Sequence, residues 1–112
     1  MYIISESDCV GKILVGKQSE LAPGAMKKVT VEGMDDIVVA NVAGKFYAMR
    51  GVCNHQGGPL AEGELEANVI TCPWHGAKWD VTSGKLVEFA VDLDPEPTYK
   101  ILLEGEDLYV ET

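Results

Sequence analysis

Cys53-Asn54-His55 is followed, sixteen residues later, by Cys72-Pro73-Trp74-His75. Thiolate sulfur and imidazole nitrogen both bind first-row transition metals, and each half of the pattern supplies one of each. Both histidines of the chain and two of its three cysteines fall inside the pattern, so chance is a poor explanation for it. Two centres could use these four donors: one tetrahedral zinc ion, or a [2Fe–2S] cluster with one iron on sulfur and the other on nitrogen. Structural zinc sites usually open on a knuckle of two closely spaced cysteines. A Cys and a His in each half suits ligands that reach two different irons, so the spacing favours the cluster over zinc.

Elements that could position such ligands are short and strand-like. Val29 and Val31 alternate with polar residues, and Ile37 to Val42 is a nearly continuous apolar run. Gly44-Lys45 separates that run from Phe46-Tyr47-Ala48-Met49, which predicts a β-hairpin. Further strands are expected over Ile13–Val15, Val69–Thr71, Tyr99–Leu103 and Leu108–Glu111. Helical periodicity is absent. From Gly51 to Gly84 glycines and prolines punctuate the chain, predicting two irregular loops with little core of their own. Asp92 to Pro97 is expected to be a loop before the last hairpin. Pattern alone predicts an all-β fold and does not separate a sandwich from a partly open barrel.

The two loops resemble those of the Rieske [2Fe–2S] family, which carry C-x-H and C-x-x-H at about this separation. Gly57, Pro59-Leu60, Gly63, Cys72-Pro73-Trp74-His75-Gly76, Asp80 and Gly84 resemble that family's loop pattern in order. Phe46-Tyr47-Ala48, Pro97-Thr98-Tyr99 and Asp107-Leu108-Tyr109-Val110 resemble its flanking strands. The resemblance implies a Rieske-like all-β fold, an antiparallel sandwich or partly open barrel with a small cluster-binding lobe at about 51–84. It implies one [2Fe–2S] cluster, with Cys53 and Cys72 on one iron and His55 and His75 on the other. Two ferric ions, two sulfides and two thiolates sum to zero charge when the imidazoles are neutral, so an electron is added more easily than to an all-thiolate cluster.

The chain departs from the respiratory members, which carry an extra cysteine in each loop and hydroxyl donors to sulfur. Gly58 and Trp74 stand at the expected disulfide positions, and Ala77 and Trp79 where the hydroxyls would be. Without those donors the reduced state is less stabilised. The expected potential lies toward the low end of the roughly −150 to +300 mV Rieske span, the range that feeds oxygenases.

A length of 112 residues predicts one domain, 1–112, and a hydrophobic content of 46% predicts that it folds. The formal net charge of −9 disfavours nucleic acid and anionic membrane as partners and suits a basic protein. MYIISESDCV lacks a basic n-region and a long apolar run, so a cytoplasmic, membrane-free protein is expected.

Other residues have plainer readings. Cys9 is expected to be an ordinary free thiol, and Trp74 and Trp79 to be packing residues that exclude water. Gly57, Gly58 and Gly76 serve as loop glycines and also let backbone approach the cluster. Lys78 and Arg50 are expected to be solvated. Glu62, Glu64 and Glu66 would share one face of an extended segment, serving solubility or, more sharply, docking of a basic partner.

The expected function is one-electron transfer, as a monomer, from an NAD(P)H-dependent flavoprotein reductase to a terminal oxygenase, with no catalysis on the chain itself. A non-haem iron site would need further histidines, and none remains. The alternatives are a Rieske small subunit of a redox complex such as nitrite reductase, and a structural zinc-binding interaction module. Replacing His55 or His75 by Ala is expected to abolish a Rieske EPR signal, and Cys9→Ser to leave it intact. A colourless preparation that holds zinc and lacks visible absorption would select the zinc module.

Overall fold

The computed structural model describes residues 12–31, 33, 35–53, 58–74, 76–89 and 93–111; Cys9, His55 and His75 lie outside them. In chain order the strands are β1 (Lys12–Lys17), β2 (Met26–Val29), β3 (Ile37–Val42), β4 (Lys45–Arg50), β5 (Glu64–Glu66), β6 (Val69–Thr71), β7 (Lys78–Asp80), β8 (Leu86–Glu88), β9 (Thr98–Glu104) and β10 (Asp107–Glu111). Among the described residues the only helical pieces are single 3-10 turns at Gln18–Glu20 and Leu60–Glu62, and no helix is long and apolar enough to cross a membrane. The all-β expectation holds.

Two antiparallel sheets divide the work. Six strands in the order β1-β10-β9-β4-β3-β2 form a base, and β5-β6-β7-β8 form a second, smaller sheet. The base curls until its edges approach: Lys27 on β2 donates to the Val15 carbonyl on β1, where a bulge between Leu14 and Gly16 interrupts the pairing with β10. The result is a nearly closed barrel, sealed at one seam by a side chain and not by a backbone ladder.

β3 explains its own apolar run. Ile37 and Val39 point into the base beside Val29, Ala48, Leu108 and Val110, whereas Val38 and Ala40 point out toward the small sheet. A strand covered on both faces has no solvent side, so the period-2 polar alternation disappears. Its partner β4 pairs from Ile37↔Arg50 to Val42↔Lys45. The turn between them is Ala43-Gly44 and Lys45 is already strand, one residue earlier than expected. Both turn residues have positive φ, 53° and 95°, as a two-residue type I′ turn demands. β2 starts earlier than the valine alternation implies and stops at Val29, so Val31 lies beyond the strand.

The segment from Gly51 to Gly84 is more structured than its punctuation suggests. Leu65, Ile70, Trp79 and Leu86 pair across β5 to β8 and turn one row of apolar side chains toward Val38, Ala40 and Met49 of the base. Trp79 and Ile70 are fully buried, so truncating either to Ala would cost about 3 kcal/mol or more. The lobe therefore has a core, shared with the outer face of β3 and β4. Glycine and proline hid it because each strand is only three residues long.

Two positions fix the lobe's geometry. A Cβ on Gly63 would fall 1.9 Å from the Thr71 carbonyl oxygen, so only glycine lets β5 lie against β6 there. Gly63→Ala is expected to lower the unfolding free energy by about 3 kcal/mol in urea titration. At the end of β7 the Asp80 carboxylate accepts from Asn68 Nδ2 at 3.0 Å, Thr82 N at 2.9 Å and Thr82 Oγ1 at 2.6 Å. Partial burial pushes its pKa up, but bonds from Thr82, Asn68 and Ser83 outweigh that and hold it below the ordinary carboxylate value. Because the folded state favours the charged form, this contribution is complete above about pH 4 and is lost as pH falls through the folded pKa. Asp80→Asn is accordingly expected to flatten the acid limb of the stability-versus-pH curve.

Candidate metal centre

Cys53 and Cys72 each open a loop that is closed in the same way. Cys53 N–H donates to the Gly58 carbonyl at 2.9 Å, and Cys72 N–H to the Ala77 carbonyl at 2.8 Å. In both cases the acceptor lies five residues on, so each cysteine sits at the root of a short hairpin-like loop. His55 and His75 fall in sequence between these closing residues. The first loop is rooted further by the Val52↔Pro59 bridge and by Leu60 N–H donating to the Gly51 carbonyl at 2.8 Å. In the second, Gly76 N–H returns to the Cys72 carbonyl at 3.1 Å, with Gly76 at φ 80°.

Neither cysteine is in a disulfide, and both are buried, 2% and 3% exposed, in one apolar cluster with Leu60, Ile70, Ala77 and Trp79. Gly58 brings the loops together. Its carbonyl holds the Cys53 amide, and a Cβ placed on it would stand 2.6 Å from Cys72 Sγ, so its bare backbone lies against the second thiol. Two cysteines nineteen positions apart in the chain thus converge on one place.

Trp79 is fully buried as expected, but Trp74 is 54% exposed, with its ring edge against Gly58. Glu64 and Glu66 share the exposed face of β5, and Glu64 stands opposite Thr71, next to Cys72. Glu62 lies in the preceding 3-10 turn and not on that strand face, so the three carboxylates do not form one row.

A polar seam that the sequence hid joins the base to the lobe. Glu96 is buried, with Oε1 3.9 Å from Arg50 Nη1, while Arg50 Nε lies 3.0 Å from Asp35. Arg50 N–H donates to the Pro97 carbonyl at 2.9 Å, and Glu96 N–H to the Gly84 carbonyl at 2.7 Å. Arg50 ends the strand that leads to Cys53, so this seam sets where the first loop begins. Arg50 is therefore a structural cation and not the solvated one expected. The signal was faint: Glu96 lies between two prolines in an acidic stretch that composition marks as loop.

Comparison with known proteins agrees with this geometry. Residues 11–100 match the Rieske [2Fe-2S] domain. The ferredoxin component of biphenyl 2,3-dioxygenase from Rhodococcus jostii (strain RHA1) is 39% identical over 92 residues, 82% of this chain and 84% of that protein. The ferredoxin of carbazole 1,9a-dioxygenase from Nocardioides aromaticivorans IC177 superposes with a TM-score of 0.81 at 27% identity, covering 88% of this chain and 95% of that one. A ferredoxin-sized chain in the complex of reduced oxygenase and oxidized ferredoxin in carbazole 1,9a-dioxygenase gives a TM-score of 0.85 at 28% identity, covering 88% and 91%. The described residues fit the cofactor this implies. Two buried thiols outside any disulfide lie at the roots of adjoining loops, and only a glycine fits against one of them. By its fold, its paired loops and these similarities, the chain belongs to the Rieske [2Fe–2S] domain family, and its cofactor is a Rieske-type [2Fe–2S] cluster.

Proposed function

We propose that the protein is a one-electron carrier that takes electrons from an NAD(P)H-dependent flavoprotein reductase and delivers them to a terminal oxygenase. The similarity to a dioxygenase ferredoxin component over most of both chains carries this reading, because it matches a whole small carrier and not a fragment of a larger enzyme. In the same proposal Cys53 and Cys72 hold one iron through thiolates, and His55 and His75 hold the other through imidazoles. When bound, the cluster supplies a site where one electron is stored and returned. The chain's residues supply the rest: buried thiols kept from water and disulfide exchange, loops closed by backbone bonds, and a rigid sheet beneath them. We place the working protein in the cytoplasm as a single domain, with about 51–84 as the cluster-binding lobe.

Ala77 and Trp79 are both fully buried, and neither position offers the sulfur-directed hydroxyl that the respiratory members carry there. Anaerobic reconstitution should give a red-brown protein with acid-labile sulfide, a Rieske EPR signal on reduction and a midpoint potential below zero. A positive midpoint would remove the low-potential assignment alone, and an absence of sulfide would remove the cluster. With a purified reductase and oxygenase, the protein should support NAD(P)H-dependent turnover at catalytic concentration. Failure to couple them, with the cluster intact, would point to a permanent subunit of another complex.

Glu64 and Glu66, exposed beside the second loop, fit electrostatic steering of a basic partner. Reversing both charges to Lys is expected to slow reduction by the reductase about tenfold at low ionic strength and little at high salt. An unchanged stopped-flow rate at low salt would dismiss the patch.

A further inference from the structure

A centre shared between two loops needs the loops fixed relative to one another, and backbone bonds close each loop only upon itself. Among the described residues, Gly58 is one place where the two loops meet. A Cβ built there would meet Cys72 Sγ at 2.6 Å, Trp74 Cγ at 3.2 Å and Trp74 Cδ2 at 3.3 Å. These are closer than the roughly 3.5–4.0 Å at which carbon atoms rest against one another, so no side chain fits at Gly58 between sulfur and indole. The same residue's carbonyl accepts from Cys53 N–H at 2.9 Å. One buried glycine therefore touches the root of the first loop, the thiol of the second and the ring of Trp74.

Trp74 is half exposed, so its ring covers Gly58 while much of its surface faces solvent. A side chain serving only as core filling would be buried as Trp79 is. Pro73 adds a second anchor, because its Cδ lies 3.2 Å from the position a Gly63 Cβ would take. The Pro73-Trp74 pair thus grips the first loop through Trp74 and the β5 end through Pro73. Proline's fixed φ limits how far the two contacts can swing apart.

We propose that Trp74 is a positioning residue for the cluster. Its indole clasps the first loop at Gly58 and holds the Cys53 and Cys72 loops at the spacing the ligands require, without itself binding iron. This rests on the ligand assignment above, and the two can fail separately. The clasp is non-covalent and lies at the surface, so its loss should change the site before it changes the fold.

Wild type, Trp74→Ala and Trp74→Phe would be reconstituted anaerobically and challenged with an iron chelator, with visible absorption following cluster loss. Potential and EPR line shape would be recorded on the same samples. Trp74→Ala is expected to release iron about tenfold faster, with a broadened EPR signal and a shifted midpoint, while Trp74→Phe restores the wild-type rate to within about twofold. Gly58→Ala, which forces a methyl group between sulfur and ring, is expected to release iron faster as well. Combined with Trp74→Ala its effect should be less than additive, since removing the ring relieves one of the two collisions. Failure of Trp74→Ala to retain cluster while Trp74→Phe retains it would also support the clasp. Wild-type release, potential and line shape in Trp74→Ala would overturn the clasp and leave the ligand assignment standing. A wild-type protein without acid-labile sulfide would overturn both.

Discussion

Two buried thiols from separate loops converge on one apolar cluster, and much of the described architecture bears on that convergence. Thiolates that share a metal site repel one another, and free thiols left mobile at close range are prone to disulfide formation. The chain meets this by making each cysteine the first residue of a backbone-closed loop and setting the loops against each other at a glycine. Those bonds are local and inexpensive in entropy, since each ring is only a few residues long. What they cannot provide is a fixed position for the loops in space.

That position comes from the sheets. The outer face of β3 and β4 offers Val38, Ala40 and Met49, and the small sheet lays Leu65, Ile70, Trp79 and Leu86 over them. Apolar burial is strong but non-directional, so it would permit sliding. The Asp35–Arg50–Glu96 arrangement adds direction, with a buried carboxylate beside a guanidinium and backbone bonds from Arg50 to Pro97 and from Glu96 to Gly84. A buried ion pair is often a weak source of net stability. Here its geometric role is the clearer one, because it joins the end of the strand that leads to Cys53 to the turn that closes the lobe.

The parts legible in the sequence are those set by local chemistry. The Ile37–Met49 hairpin shows in its apolar run and its turn glycine, and the cysteine pair shows because histidines accompany both members. The strand limits of β6 and, to within one residue at each end, those of β9 and β10 follow from branched and aromatic residues bounded by turn formers. What stayed hidden depends on contacts between distant segments. β5, β7 and β8 are too short for a periodic signal, and their apolar row is visible only once the register is known. Glu96 has the composition of a solvated loop, and only the fold shows that Arg50 and Gly84 enclose it. Trp74 and Trp79 look alike in sequence, yet one lies at the surface and the other in the core.

The pairing of β4 with β9 bears on the order of assembly. Ala48 and Met49, just before the first cysteine loop, take their neighbours from Thr98 and Tyr99. Both thiols are therefore synthesised well before the segment that seats the first of them exists. The two cysteine loops thus precede in the chain the strand that completes the sheet beneath them, so the base is fully paired only once residues 98–111 have docked.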